Sequence, residues 1–335
     1  MEELSNFGKI GVLLGGPSRE REVSLKSGKT VYESLKSQFL DVIPIDIQTD
    51  DWQENRRIIQ EANIDIAFIA LHGYFGEDGL IQALLEELNI PYTGSGPVAS
   101  HLAMDKIASR SIFQKEGLPV PKYVVILDKD ITSNELLKIT QDLFPPSVVK
   151  PAAQGSSIGL SIVNTEEELI RAVENAARFD ERIIIEEYIS GREITVGILG
   201  ESALPIVEII PQNKFYDYEA KYTPGKSEYV VPANLSVEVT SQAQEIALSA
   251  HRLLGCSGFS RVDMRLSPDN IPFVLEVNSI PGLTATSLLP KAAKAVGMDF
   301  NQLCIHILRL AQMNPAPSKR RCIRNKKFWP GNQRS

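Results

Sequence analysis

Two pairs of polar residues near the C-terminal end have the types and spacing of a metal site. Arg261 and Asp263 lie two positions apart, as do Glu276 and Asn278, and the turn-forming run 267–270 predicts that the two segments pair as a β-hairpin. Oxygen ligands without His or Cys suit Mg²⁺ better than Zn²⁺, and Mg²⁺ usually keeps phosphate oxygens among its ligands. The hairpin therefore favours a magnesium-bound nucleotide, with ordinary surface ion pairs as the alternative.

A lysine followed by a loop of small residues could bind phosphate groups. Lys150 ends the apolar run SVVK and precedes PAAQGSSIG, in which Ser156 and Ser157 lie between glycines. Such a loop offers backbone N–H and hydroxyl donors, and the lysine adds a point charge. Lys106 opens a predicted helix upstream. The alternative for these segments is a linker loop and two solvated lysines.

Further candidates lie where the predicted strand IIIEE ends. Glu186, Tyr188 and Ile189 occupy the seam between two predicted units, and Glu193 follows shortly after them. Backbone edges at such a hinge can bracket a flat base, and a nearby carboxylate could bind ribose hydroxyls. The segment on its own permits this role without requiring it.

Four other segments could contact a small polar ligand. His72 follows a predicted strand, where open α/β sheets bind ligands, but it could equally cap the next helix. Glu20 follows a glycine loop, where a carboxylate could simply complement the helix dipole. The aromatic and charged segment 215–226 suits either a mobile lid or an exposed loop. The run 281–287 offers backbone donors and a hydroxyl after the second hairpin strand.

Alternating strand and helix patterns place these residues in an α/β fold. Apolar runs at 10–14, 41–45 and 66–71 alternate with helical patterns, which predicts a mainly parallel sheet covered by helices. A second, smaller α/β unit is predicted for 98–186, and strands predominate from 187 to about 313. Three units in one chain predict a cleft between them.

Two segments that look like nucleotide-binding motifs are rejected. Gly28-Lys29-Thr30 resembles the end of a P-loop, but position 23 is Val instead of Gly and the tripeptide lies in a helical pattern. Gly15-Gly16 follows the first strand, but GGPSRE does not complete the dinucleotide fingerprint G-x-G-x-x-G. What remains is a glycine turn before a helix N-terminus, which favours an anionic or polar ligand.

Composition narrows the class of protein. The 335 residues are 43% apolar and 23% charged with a net charge of −7, which excludes a disordered chain and argues against general nucleic-acid binding. No apolar run is long enough to cross a bilayer, and the first residues lack a signal-peptide pattern. Three widely spaced cysteines form neither a disulfide framework nor a zinc motif, so a reducing, cytoplasmic compartment is expected.

In this order, the segments resemble the D-alanine–D-alanine ligase family of the ATP-grasp superfamily. The matching segments, collinear over roughly 8–312, are GGPSREREVSLKSG (15–28), LHGYFGEDG (71–79), PYTGSG (91–96), MDK (104–106), VVKP with GSSIG (148–159), EEYISGREITV (186–196), FYDYEAKY (215–222), FSRVDMRL (259–266) and LEVNSIPGLTATSL (275–288). The resemblance implies a three-domain ATP-grasp fold. Its expected parts are a parallel-sheet N-terminal domain (1–94), a central subdomain (95–186), a C-terminal subdomain with the metal site (187–313) and a basic, disordered tail (314–335).

The resemblance also implies an activity. The family joins two D-alanines to D-alanyl-D-alanine for peptidoglycan precursors, through an acyl phosphate, with ATP as co-substrate. Asp263, Glu276 and Asn278 would hold two Mg²⁺ ions, for which Mn²⁺ could substitute. A homodimer with no membrane span and no nucleic-acid partner is expected. The alternatives are a ligase with another second substrate, such as D-serine, D-lactate or another amino acid, and a nucleotide-binding relative without catalysis.

The other candidates take their roles from the family. Lys106 and Lys150 would bind phosphate oxygens under the loop that contains Ser157. Adenine would be bound by Glu186 and by the backbone of Tyr188 and Ile189. Glu193 would bind ribose. Glu20 would orient the ammonium of the first D-alanine, with His72 near its carboxylate and Lys221 on the transferred phosphate. Arg261 and the Gly282 N–H would stabilise the oxyanion. Ser287 would bind the carboxylate of the second substrate. The lid would be fastened by Ser156 and Tyr222, which would be linked through Glu20.

Two positions bear on how far the resemblance extends. Family members often carry a charged residue just before GSS, whereas this chain has Ala153-Gln154. Tyr222 stands where tyrosine accompanies D-alanine as the second substrate, so D-alanine is favoured over D-lactate.

Overall fold

The structure, a computed structural model, describes residues 7–127, 131–143, 145–155, 158–211 and 226–313. These residues form three β-sheets with helices packed against them, which confirms the α/β class predicted from the sequence. No helix within the described ranges combines the length and the hydropathy that crossing a bilayer would require.

The first sheet is parallel, as the sequence predicts. Its strands are β1 (Ile10–Gly15), β2 (Val42–Ile47) and β3 (Ile66–Ile69), in the order β2-β1-β3, and its helices are α1 (Arg21–Ser37), α2 (Trp52–Ala62) and α3 (Leu80–Glu87). Every residue of β1 and β3 is buried, because a parallel sheet between helices has no solvated face. Since parallel strands end at one edge, the loops with Glu20 and His72 leave the sheet side by side.

The second sheet is antiparallel and brings Lys150 and Glu186 onto neighbouring strands. Its strands, in the order β4-β7-β5-β6, are β4 (Tyr123–Ile126), β5 (Ser147–Pro151), β6 (Ser161–Val163) and β7 (Ile183–Glu187). Val148 pairs with Glu186 and Lys150 with Ile184, so Lys150 and Glu186 are diagonal neighbours on one face. Helices α6 (Ser133–Thr140) and α7 (Glu166–Ala176), which follow β4 and β6, pack their apolar faces into the core of this sheet.

The third sheet carries the predicted metal hairpin. Its main order is β11-β10-β8-β12-β13, and β9 pairs with β8; the strands are β8 (Arg192–Leu199), β9 (Ser202–Ala203), β10 (Val207–Pro211), β11 (Ser227–Val230), β12 (Phe259–Leu266) and β13 (Pro272–Asn278). Three helices follow its strands, namely α8 (Val237–Leu253), α9 (Leu288–Ala295) and α10 (Phe300–Met313). Two further helices, α4 (Pro97–Met104) and α5 (Lys106–Lys115), lie between the first and second sheets in the chain.

The hydrophobic cores do not follow the order of the chain. Helices α4 and α5 come before the second sheet, yet Ala99 and Phe113 pack in the core of the third sheet. Conversely, Leu289 and Ile307 of the C-terminal helices join the core of the first sheet. The domain boundaries at 94, 186 and 313 stay predictions, since each core draws on distant segments.

Gly28 lies inside α1, where it allows the helix to approach the first sheet. A Cβ at this position would come within 2.3 Å of the Leu14 Cβ, so no other residue fits without displacement. Gly28, Lys29 and Thr30 are therefore part of a packed helix, in agreement with the rejection of a P-loop.

Replacement of Gly28 by alanine should destabilise the protein although alanine is the better helix former. We expect Gly28→Ala to lower the free energy of unfolding by about 1–3 kcal/mol, because the extra methyl group overpacks the contact with Leu14. Thermal unfolding of this variant should be compared with that of Lys29→Ala, which changes an exposed position on the same helix. A melting temperature for Gly28→Ala equal to or above that of Lys29→Ala would contradict the packing argument.

Candidate active site

Strands β12 and β13 bring the four hairpin residues into direct register. Arg261 pairs with Asn278, and Asp263 pairs with Glu276 just before an irregularity in the ladder. The hairpin predicted from the sequence is therefore confirmed. The side chains interact as well, since Arg261 donates from Nε and Nη2 to the two Asp263 oxygens at 2.7 Å each. Asp263 also accepts from the Thr195 hydroxyl at 2.6 Å and the Asn278 amide at 2.9 Å.

The chemistry of this donor set fits Mg²⁺. Two carboxylates, of Asp263 and Glu276, lie beside the amide of Asn278, and no nitrogen or sulfur ligand is among them. Within the described ranges no three His, Cys, Asp or Glu side chains form a metal-binding group by themselves. A few oxygen ligands from the protein suit an ion that completes its shell with water and phosphate oxygens.

Lys106 links the hairpin to the loop that follows β5. It is the first residue of α5, held there because the Asp105 carboxylate accepts from the Ile107 and Ala108 N–H groups at 3.0 Å. The Lys106 ammonium donates to the Gln154 carbonyl at 2.7 Å and lies 3.2 Å from the Glu276 carboxylate. A buried cation is thus held between a predicted metal ligand and the predicted phosphate loop.

A second cluster of buried charges surrounds Glu186. Its carboxylate accepts from the Lys150 ammonium at 2.7 Å and forms an ion pair with Arg110, whose side chain is fully buried. Burial and the neighbouring Arg110 charge lower the pKa of Lys150 to about 8, although Glu186 opposes this change. Burial would raise the pKa of Glu186, but the charges of Arg110 and Lys150 hold it below its usual value.

Sequence reasoning missed Arg110. It lies one helical turn after Lys106 and three residues before buried Phe113, so it shares the inward face of α5. That spacing was the available signal. Its Nη2 also donates to the Leu275 carbonyl of β13 at 3.2 Å, so Arg110 joins the second sheet to the third.

A large cavity lies between these charged groups and the hinge after β7. It encloses about 930 Å³, including space that opens to solvent. Its lining comprises Lys106, Pro121, Val148, Lys150, Pro151, Gln154, Ile158, Leu160, Ile162, Glu186, Glu187, Tyr188, Ile189, Glu193, Asp263, Arg265, Leu275 and Glu276. The lining combines aliphatic side chains with cations and carboxylates, which suits a molecule with a flat apolar part and an anionic part.

The hinge presents backbone groups to this cavity. The Tyr188 N–H donates to the Pro146 carbonyl at 3.2 Å, and the Glu187 N–H donates to the Lys122 carbonyl at 2.9 Å. Within the described residues the Ile189 N–H has no such acceptor, and Ile189 lines the cavity, so its N–H can donate to a ligand there. Because the Tyr188 N–H already bonds to a carbonyl, the contact with adenine predicted for Tyr188 would have to use its other groups.

A smaller cleft adjoins the cavity on the side of the first sheet. It encloses about 310 Å³ and is lined by Glu77, Ala103, Met104, Lys106, Gly155, Glu276, Val277, Asn278 and Ser279. Lys106 and Glu276 line both spaces, so a group transferred between two ligands could pass between them. Glu77, which the sequence analysis did not single out, lies in the LHGYFGEDG segment with His72.

Glu20 and His72 lie near this cleft at the edge of the first sheet. A Cβ on Gly73 or Gly155 would fall 2.7 or 3.1 Å from the Glu20 Oε2, so the buried Glu20 carboxylate lies between the two loops. The His72 ring is buried, with Nε2 3.1 Å from the Ser27 hydroxyl and Nδ1 3.4 Å from the Glu77 carboxylate. Both residues therefore lie behind the lining of the cleft, Glu20 beside Gly155 and His72 beside Glu77.

The segment after β13 forms a tight turn before α9. The Ser287 hydroxyl accepts from the Thr284 N–H at 3.1 Å, and a Cβ on Gly282 would lie 3.1 Å from that hydroxyl. Gly282 and Ser287 are therefore adjacent, as their predicted roles require. Ser156, Ser157, Lys221 and Tyr222, together with the tail 314–335, lie outside the described residues.

Family models match both halves of the chain. The model of the D-ala D-ala ligase C-terminus matches residues 112–309, and the model of the N-terminus matches 9–63 and 50–95. The D-alanine--D-alanine ligase of Desulforudis audaxviator (strain MP104C) is 48% identical over 308 residues, which cover 91% of this chain and 98% of that protein.

Solved structures show the same relationship. The D-alanine--D-alanine ligase from Bacillus anthracis complexed with ATP has a TM-score of 0.80 and 34% identity, covering 92% of this chain and 98% of that one. The VanG D-Ala:D-Ser ligase from Enterococcus faecalis has a TM-score of 0.77 and 32% identity, covering 91% and 99%. The ATP-grasp fold is thereby confirmed, and this chain belongs to the D-alanine–D-alanine ligase family.

Proposed function

We propose that this protein uses ATP to join two D-alanines into D-alanyl-D-alanine, with release of ADP and phosphate, for peptidoglycan precursor synthesis. The observation that carries the proposal is the pair of adjoining clefts that share Lys106 and Glu276. The lining of the larger suits a magnesium-bound nucleotide, and the smaller leads from it toward Glu20 and His72. Family membership supplies the identity of the substrates.

The nucleotide would lie along the large cavity with its phosphates at the buried cations. The Ile189 N–H would donate to the adenine ring, and Glu193 would accept from the ribose hydroxyls. Lys106 and Lys150 would bind phosphate oxygens, with Ser157 above them and with Glu186 orienting Lys150 at 2.7 Å. Asp263, Glu276 and Asn278 would hold Mg²⁺, which when bound neutralises charge on the phosphates.

The amino acids would meet the phosphate in the smaller cleft. A carboxylate is a poor electrophile, so transfer of the γ-phosphoryl group to it gives an acyl phosphate that an amine can attack. Glu20 would hold the ammonium of the first D-alanine, His72 would lie near its carboxylate, and Ser287 would bind the carboxylate of the second. Arg261 and the Gly282 N–H would donate to the oxyanion that forms during the attack.

The remaining assignments concern the cover of the site. Lys221 would contact the transferred phosphate, and Ser156 and Tyr222 would fasten the cover through Glu20, which lies beside Gly155. Excluding water has a clear purpose here, because acyl phosphates hydrolyse.

A test of the function is direct. Purified protein incubated with Mg²⁺, ATP and D-alanine should release ADP and D-alanyl-D-alanine in equal amounts, and omission of D-alanine should abolish ADP release. Parallel reactions with D-serine, D-lactate and L-alanine would identify a different second substrate, which the likeness to a D-Ala:D-Ser ligase makes a necessary comparison. ATP binding without any ADP release would instead indicate a relative without catalysis.

The setting of the protein is also proposed. Burial raises the pKa of the Cys256 thiol to about 11 and that of Cys304 to about 12, so both are inert thiols that suit a reducing cytoplasm. The homodimer expected from the resemblance stays a prediction. Measurement of the molecular mass in solution would test it.

Loss of Arg261 should impair chemistry more than nucleotide binding. We expect Arg261→Ala to lower kcat by about 10²–10³-fold, because an oxyanion donor acts mainly in the transition state. The KM for ATP should change far less. Arg192→Ala is the control, since Arg192 lies in the same sheet, pairs with Glu208 and lines neither cleft. Near-normal kcat in Arg261→Ala would remove Arg261 from the mechanism.

Nucleotide use should depend on the protonation of Lys150. The charged ammonium binds phosphate, and its protonated fraction falls as the pH rises through about 8. We therefore expect kcat/KM for ATP, which reports groups in the free enzyme, to decline above this pH. Lys150→Arg keeps its charge over the same range, so whatever its absolute activity, its profile should lack this decline. If kcat/KM for ATP declines with pH in the same way in both proteins, the titrating group is not Lys150.

A further inference from the structure

Arg265 occupies the wall of the large cavity and contacts the hinge at several points. It lies on β12 on the same face as Arg261 and Asp263, directly opposite Glu193 of β8. Its Nε donates to the Ile189 carbonyl at 3.1 Å, and its Nη2 donates to the Gly191 carbonyl at 3.1 Å. The proposed function assigns no role to this residue.

Two side chains of the nucleotide end also depend on Arg265. Its Nη2 donates to the Tyr188 hydroxyl at 3.2 Å, and the guanidinium lies 5.4 Å from the centre of the Tyr188 ring. Its Nη1 donates to the Glu193 carboxylate at 3.4 Å. Four of the five guanidinium N–H groups are therefore engaged by the protein, so Arg265 acts on a ligand chiefly through its neighbours.

The contacts fix the geometry that a nucleoside would meet. Hydrogen bonds to the carbonyls of Ile189 and Gly191 hold the hinge backbone, and with it the Ile189 N–H, against the third sheet. The ion pair with Glu193 helps to direct its carboxylate. Preorganised groups bind better because less freedom is lost when the ligand arrives.

Charge provides a second reason for a cation at this point. Among the described residues, five carboxylates and three cations line the cavity, and of these cations Arg265 is the one that contacts the hinge. Without Arg265, the carboxylates of Glu193 and Glu187 would face an incoming anionic nucleotide with one cation fewer in the lining. Repulsion of this kind weakens nucleotide binding without altering the reacting atoms.

We propose that Arg265 is a positioning residue that presets the hinge and Glu193 for the adenosine half of ATP, and that it strengthens the preference for a 2′-hydroxyl on the sugar. The proposal rests on the proposed function, because it takes the large cavity as the nucleotide site and Glu193 as the ribose ligand. It assigns Arg265 an effect on nucleotide affinity and selectivity and no part in phosphoryl transfer.

Equilibrium binding separates this role from general stabilisation. The dissociation constants of Mg-ATP and Mg-2′-deoxy-ATP should be measured by calorimetry for the wild type and for Arg265→Met, which keeps the length of the side chain and removes its charge. We expect ATP binding to weaken about tenfold, the effect of losing a hydrogen-bonded charge. Binding of 2′-deoxy-ATP should weaken less, so that the ratio of the two constants moves toward one, while kcat at saturating ATP stays close to the wild-type value.

Arg192→Met is the matched control. Arg192 lies on β8, makes a bidentate ion pair with Glu208 at 2.6 Å and donates to the Asn234 carbonyl at 3.0 Å, but does not line the cavity. It should bind both nucleotides as the wild type does. If Arg265→Met does not fold, Arg265→Lys serves instead. One ammonium cannot replace all four contacts, so ATP binding should still weaken severalfold.

The outcomes distinguish the inference from the function beneath it. Equal weakening of ATP and 2′-deoxy-ATP, wild-type affinities in Arg265→Met or Arg265→Lys, or the same change in Arg192→Met would each overturn the role of Arg265. Wild-type protein that binds Mg-ATP but makes no dipeptide would refute ligation, and the binding ratios would still decide the role of Arg265.

Discussion

The site depends on keeping several cations buried next to one another before any phosphate arrives. Burying an unpaired charge is costly, and the cost is offset here by carboxylates placed among the cations. Glu186 serves Arg110 and Lys150, while Glu276 serves Lys106. The depressed pKa of Lys150 shows that this compensation is incomplete. An anionic ligand beside Lys150 would add to this compensation.

The hairpin places the residue that we propose to stabilise an oxyanion beside a residue that we propose to hold a metal. Arg261 and Asp263 share one face of β12, and their bidentate pair keeps both side chains in fixed rotamers. Thr195 supports the same carboxylate from the neighbouring strand. Arg261 is thus placed by its bond to the carboxylate that we propose as a metal ligand. The spacing of two residues in a strand is therefore sufficient to bring the two functions together.

How much of this could be predicted depends on whether a residue acts through local spacing or through distant packing. Period-two spacing and a turn sequence identify the hairpin, and buried apolar runs identify the parallel sheet. Arg110 was not predicted from the sequence, because a basic residue in a helix usually faces solvent. It is buried only because α5 packs on the third sheet. Arg265 had a spacing signal, two residues after Asp263, but its partners come from a hinge whose path the sequence does not specify.

The arrangement of α5 explains how separate sheets make one site. Its apolar face, with Phe113, belongs to the core of the third sheet, whereas Arg110 on the same face forms an ion pair with Glu186 of the second. Arg110 also donates to the Leu275 carbonyl, one residue before Glu276. The ion pair therefore fixes β7, which carries Glu186 and neighbours the strand of Lys150, relative to β13, which carries Glu276. Removing either partner of a buried ion pair costs much stability, so this interaction constrains the distance between the two sheets. Through Glu186 it also orients Lys150.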